Sequence, residues 1–195
     1  MHDLHGVAWR TRVGETGAMT TFGTLELAPA VEHPELLAEP VQAFLAARPD
    51  DRVLVGAIDA ELADTAAFCA HYAVDPSQGA NCVVVEAKRG ETRTLVACMI
   101  LGSDRIDVNG AVRRMLDARR ASFAPLDAVI EATGMQYGGV TPLGLPADWV
   151  IIVDEAVAAS GPLIVGAGIR GAKLLVTGEY LAGLPGARVA PIAQR

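Results

Sequence analysis

Apolar positions in this chain fall in short runs broken by Gly, Pro and charged clusters, and most runs are rich in Val, Ile and Leu without a helical period. Residues 52–58 read as a strand, and residues 82–87 and 92–101 as the arms of a β-hairpin turning across Lys88-Arg89-Gly90-Glu91. Further strands are predicted at 149–153, 163–165, 173–176 and 187–192, with a helical turn at 179–182 that Gly183 ends. Helical patterning is sparser. Residues 64–72 form a short helix opened by the capping carboxylate of Asp64, and residues 125–132 a second with Pro125 in its first turn. Val112, Met115 and Leu116 recur at helical spacing within 109–119, and residues 34–47 are helix-like but interrupted by Pro40.

A β-rich order with hairpins suits an α+β arrangement: a mixed, largely antiparallel sheet with helices packed outside it, not a regular βαβ winding. A length of 195 residues, 51% hydrophobic, supports one sizeable core, so the chain is expected to be a domain over 51–195 preceded by an N-terminal extension over 1–50. No run of 18 apolar residues occurs, which argues against a membrane span. The opening Met-His-Asp-Leu-His has neither a basic nor an apolar leader region, so a cytoplasmic protein is expected. Cys69, Cys82 and Cys98 are odd in number and lack Cys-x-x-Cys spacing, which reads as buried thiols. The four histidines form no ligand pattern, so neither metal nor cofactor is expected.

Candidate chemistry concentrates in residues 133–144, Thr-Gly-Met-Gln-Tyr-Gly-Gly-Val-Thr-Pro-Leu-Gly, where four glycines and one proline separate a helical pattern from a strand. Glycines let backbone approach a ligand without Cβ obstruction, and Pro142 limits how far the loop relaxes. Such a loop offers backbone N–H groups to a carbonyl or phosphate oxygen. Gly166-Ala167-Gly168-Ile169-Arg170-Gly171 satisfies a dinucleotide fingerprint, but a strand follows instead of a helix and residues 186–195 hold no acidic side chain, so nucleotide binding is not expected. Asp107 and Asp154 stand where carboxylates cap backbone N–H groups, and a structural role is expected for both. Thr133 and Thr141 have no neighbouring His in sequence that would activate a hydroxyl.

Several segments, in order, resemble the YbaK/ProX family of aminoacyl-tRNA deacylases, which includes the editing domain of many bacterial prolyl-tRNA synthetases. They are Asp64-Thr65-Ala66-Ala67, Ala80-Asn81-Cys82-Val83-Val84-Val85, Gly102-Ser103-Asp104-Arg105-Ile106-Asp107, Thr133-Gly134, Gly138-Gly139-Val140-Thr141-Pro142-Leu143-Gly144, Val153-Asp154-Glu155 and the turn at 166–171. The resemblance spans residues 50–193. It implies a partial barrel of the YbaK type and hydrolysis of the ester joining a small amino acid to tRNA specific for proline. Mischarged tRNA is then the substrate, with a prolyl-tRNA synthetase as an implied partner. Catalysis would fall to Asn81, Gly138, Gly139, Val140, Thr141 and Pro142, the loop supplying oxyanion donors, and substrate contacts to Thr133, Gly134, Tyr137, Gly144, Gly168 and Arg170.

One departure qualifies this. Family members that deacylate usually carry a lysine at the position of Asn81, and asparagine brings hydrogen bonds but no charge. Lys88 lies an odd seven residues further along and would face the other side of a continuous strand. Arg170 or Lys173 beside Asn81 would supply a replacement cation. A cation-free cavity would favour an alternative, a hydrolytically inactive module that binds an aminoacyl or small ligand or docks on a synthetase. The formal charge of −7 is unusual for a nucleic-acid binder, although Arg113, Arg114, Arg119 and Arg120 are clustered, and Arg113 and Arg120 would share a face of one helix if it ran that far. Oligomeric state is not legible in the sequence.

Overall fold

The computed structural model describes residues 10–13 and 18–194. In chain order the elements are β1 (Arg10–Val13), β2 (Ala18–Phe22), β3 (Leu25–Pro29), α1 (Glu39–Ala47), β4 (Leu54–Ala57) and α2 (Thr65–Tyr72). The hairpin β5 (Ala80–Arg89) and β6 (Thr92–Leu101) follows, then α3 (Arg113–Met115), β7 (Arg120–Phe123) and α4 (Leu126–Thr133). The chain continues through β8 (Val150–Asp154), α5 (Glu155–Ala158), β9 (Pro162–Gly166), β10 (Ala172–Thr177), α6 (Gly178–Ala182) and β11 (Ala187–Ala190).

Two sheets form. The first, ordered β1-β2-β3-β4-β10-β9, is antiparallel throughout. The second, ordered β11-β8-β6-β5-β7, is mixed because β8 runs parallel to both β6 and β11. Curled into a half-barrel with helices outside, they give the mixed α/β fold expected from the strand-rich order.

Alternation decides which core each side chain joins. On β5 and β6, Val84, Ala97 and Met99 point between the sheets and meet Val165, Leu174 and Val176, while Val85, Val96 and Cys98 point to the opposite face and pack under Val108 and Val112. A strand covered on both faces reads as a continuous apolar run, which is why residues 96–100 carry no polar position. A smaller cluster of Phe22, Leu25, Leu27, Phe68 and Leu175 seats α2 on the first sheet.

Local chemistry explains the helix ends. Asp64 accepts from Ala66 N at 3.0 Å, Asp107 from Gly110 N and Ala111 N at 2.8 Å each, and the wholly buried Asp154 from Ala156 N, Ile192 N and Ala193 N at 2.8–3.0 Å, so both aspartates of doubtful role are caps. Pro40 does not interrupt a helix. It occupies the first turn of α1, where its missing N–H costs nothing. The helix expected over 109–119 is corrected more strongly. A π turn over Val108–Val112 passes into α3, and Asp117 at φ 49° ends it. Arg120 therefore lies on a strand and does not share a helix face with Arg113. β1, β2, β3 and β7 were not legible as strands; β7 is short, and three of its four residues are exposed.

Candidate functional site

β7 pairs with β5 only from Val85 to Lys88, so residues 80–84 of β5 present an edge without a partner strand. β9 is the last strand of the other sheet. The two edges are joined at one point, a bridge from Gly79 to Ile164, and then splay. The gap is a cavity of about 370 Å³ lined by β5 from Ala80 to Val84, by Ile164, Val165 and Gly166 of β9, by Thr65 and Phe68 of α2, and by Tyr137, Gly138, Val140 and Lys173. Phe123 and Leu126 stand at it as exposed apolar side chains.

The 137–140 loop reaches this wall because Gly166 has no side chain. A Cβ there would sit 2.2 Å from the Gly139 carbonyl oxygen and 2.6 Å from that of Val140. Gly168 N donates to the same Gly139 oxygen at 2.7 Å, which fastens the loop to the strand turn. Gly138, at φ 80°, bends the loop so that its carbonyl turns toward β10.

That carbonyl meets Lys173. The side chain is 7% exposed, and Nζ donates to Ala63 O at 2.9 Å and to Gly138 O at 3.4 Å, with the ring of Phe68 5.9 Å away. Burial disfavours the ammonium and lowers its pKa from the usual lysine value, an effect the Asp64 carboxylate partly opposes. An ammonium has three protons to donate. With two directed at carbonyls, one remains for a ligand in the cavity. On the opposing wall Asn81 Oδ1 accepts from Thr65 Oγ1 at 2.9 Å, leaving its amide NH₂ free of partners among the described residues. A buried cation and an amide donor thus line one largely apolar cavity, an arrangement suited to holding a developing oxyanion or a ribose oxygen.

Of the residues singled out in sequence, the fold brings Asn81, Tyr137, Gly138 and Val140 to the cavity. Gly139, Thr141 and Pro142 lie behind the wall and are buried. Gly139 N donates to Gln136 O at 3.0 Å, so that N–H belongs to the turn, whereas those of Gly138 and Val140 have no partner among the described residues. Thr133 Oγ1 is turned to Val129 O at 2.7 Å, and Gly134 closes α4 in the left-handed conformation. Gly144 and Gly168 press against Pro40 and Ala38 of the α1 entry, where a Cβ would meet atoms at 2.4 Å. Arg170 clamps the loop instead of lining the cavity: its N–H binds Gln136 Oε1 at 2.9 Å, its guanidinium binds the carbonyls of Ala60 at 3.0 Å and Tyr137 at 3.4 Å, and it stacks 5.7 Å over the Tyr137 ring.

Sequence reasoning did not find Thr65, Phe68, Phe123, Leu126, Ile164 or Gly166, because apolar and small residues at a sheet edge look like core. Lys173, already named with Arg170 as a replacement cation, is the one charged residue of the strand Ala172–Thr177, and lysines are rarely buried unless paired. The thiols match expectation for Cys69 and Cys98, which are buried, the latter pushed up to about 12; Cys82 is half-buried at the cavity wall, and its thiol is also raised by desolvation.

Residues 59–184 match the family model described as an aminoacyl-tRNA editing domain, well over half of the chain. The chain belongs to the aminoacyl-tRNA editing domain family. Among solved structures it is similar to hypothetical protein APE2540 (TM-score 0.71, 24% identity, covering 80% of this chain and 100% of that one). It is also similar to a protein proposed to be a trans-editing enzyme for prolyl tRNA synthetase (TM-score 0.70, 23% identity, covering 81% and 97%). These likenesses show the same fold. A search of curated proteins returns no significant match.

Proposed function

We propose that the protein hydrolyses the ester of a mischarged aminoacyl-tRNA, a small amino acid on tRNA specific for proline, with Lys173 supplying the cation that relatives carry at the position of Asn81. The observation that carries this reading is the Lys173 ammonium, buried and held by Ala63 O and Gly138 O in the cavity that Asn81 lines. Attack of water on the ester puts negative charge on the carbonyl oxygen, and the third N–H of Lys173, with the unpartnered N–H groups of Gly138 and Val140, would receive it. Asn81, fixed by Thr65, is suited to orient the terminal ribose. Orientation and oxyanion stabilisation suffice for an activated ester, and a ribose hydroxyl of the substrate can direct the water. Exposed Tyr137 and Phe123 at the cavity are surfaces on which a terminal base can stack.

The assay is release of amino acid from alanyl-, cysteinyl-, seryl- and prolyl-tRNA specific for proline at low salt, corrected for spontaneous hydrolysis. Turnover of one or more of the small esters with prolyl-tRNA spared supports the reading. Spontaneous rates on every substrate sink it and leave the cavity as a binding site.

A further inference from the structure

Along the same sheet edge that forms the catalytic cavity, β7 carries a second cleft of about 430 Å³, lined by Lys88, Arg113, Arg119 and Arg120 with a single carboxylate, Glu86. We propose that this cleft seats the backbone phosphates of the RNA whose aminoacylated 3′ end enters the cavity; naming that RNA rests on the deacylase reading above.

Charge placement is the first reason. Arg120 of β7, Lys88 of β5 and Arg93 of β6 stand directly opposite one another across three neighbouring strands. Like charges abreast destabilise a sheet, and Glu86 relieves only part of this, pairing with Lys88 at 2.6 Å and reaching Arg93 at 3.7 Å. Arg113, Arg119 and Arg120 have no carboxylate partner among the described residues, although the chain as a whole carries seven more negative than positive charges. Arg113 is also oriented, its Nε donating to Asn109 O at 2.8 Å. A local concentration of unpaired cations on an acidic protein fits a polyanion better than a solvated face.

Position is the second reason. β7 joins the two sites: Arg120 lines the cleft and Phe123, three residues on, lines the cavity. A strand rises about 3.3 Å per residue, which separates those two positions by roughly 10 Å. Positions three apart on a strand point to opposite faces. β7 is the edge strand of its sheet, however, so a chain with its terminal base near Phe123 can pass round that edge and lay its next phosphates along Arg120, Arg119 and Arg113. Phosphate contacts of this kind set register without reading sequence.

The test is fluorescence anisotropy with labelled, deacylated tRNA specific for proline, across a salt series, using wild type, the triple variant Arg113→Gln/Arg119→Gln/Arg120→Gln and the pair Arg119→Gln/Arg120→Gln, which changes only exposed side chains. A charge-matched control, Arg48→Gln/Arg105→Gln/Arg188→Gln, removes exposed arginines elsewhere. The cleft variants should bind about tenfold or more weakly near 50 mM salt, and the triple variant should flatten the slope of log K against log salt by about 2–3, as expected for three lost phosphate contacts. The control should match wild type, and all the variants should melt like it. Hydrolysis of a 3′-aminoacyl-adenosine, too short to reach the cleft, should be unchanged in the cleft variants. Wild-type affinity and slope in the triple variant, equal weakening in the control, or no binding by wild type would each overturn the proposal. Failure to hydrolyse any ester would overturn the deacylase reading alone, because the anisotropy measurement does not depend on turnover.

Discussion

Replacing Lys173 by Met separates chemistry from folding. The two side chains have similar length, so Met fills the same channel past Phe68 while removing the charge and both hydrogen bonds to Ala63 O and Gly138 O. Losing one preorganised oxyanion donor costs about 2.7–4 kcal/mol of transition-state stabilisation, so kcat for ester hydrolysis should fall about 10²–10³-fold. Stability should change less than activity, because relief of the desolvation cost of a buried charge, several kcal/mol, is set against about 1–3 kcal/mol for a buried carbonyl left without its donor. Its pH dependence is fixed in sign. Because the folded-state pKa of Lys173 lies below the unfolded value near 10.5, the folded state binds fewer protons between those two values and wild-type stability rises with pH across that window. The stability of Lys173→Met relative to wild type is therefore highest below the folded pKa and falls as pH approaches 10.5. Single-turnover deacylation beside urea unfolding at several pH values measures both. A folded Lys173→Met protein with activity within a few-fold of wild type would refute the role given to this cation.

Moving the charge tests the same idea differently: Asn81→Lys in the Lys173→Met background should recover part of the lost rate, whereas Asn81→Lys alone should lower it, because two ammonium groups would then share one cavity. Gly166→Ala drives a Cβ to 2.2 Å from the Gly139 carbonyl oxygen, so it should cost about 1–3 kcal/mol in urea unfolding and displace the loop that holds Lys173, with a matching fall in kcat. Asp154→Ala removes the acceptor of three buried or partly buried backbone N–H groups, one capping α5 and two in the C-terminal segment, and a loss of about 3 kcal/mol is expected, with kcat kept in the fraction that folds.

Much of this protein is written locally. The β5–β6 hairpin, the Asp64 cap, the Gly183 stop and the β-rich order follow from alternation, turn chemistry and capping, all of which act within a few residues. The loop at 133–144 is marked as a site segment by its glycines and proline, whereas the strand bearing Asn81 is marked only by its resemblance to the deacylase family. Tertiary structure decided what depends on distance. Whether a cation stands beside Asn81 turns on the pairing of β10 between β4 and β9, which carries Lys173 to a loop 35 residues earlier in the chain. Arg113 and Arg120 meet not on one helix but across a short helix end and a short strand, because Asp117 at φ 49° ends the helical segment before β7 begins. The sequence fixes periods and turns, since these are properties of neighbours. Only the packed fold determines which buried charge faces which carbonyl, since that depends on two sheet edges that come together and then part.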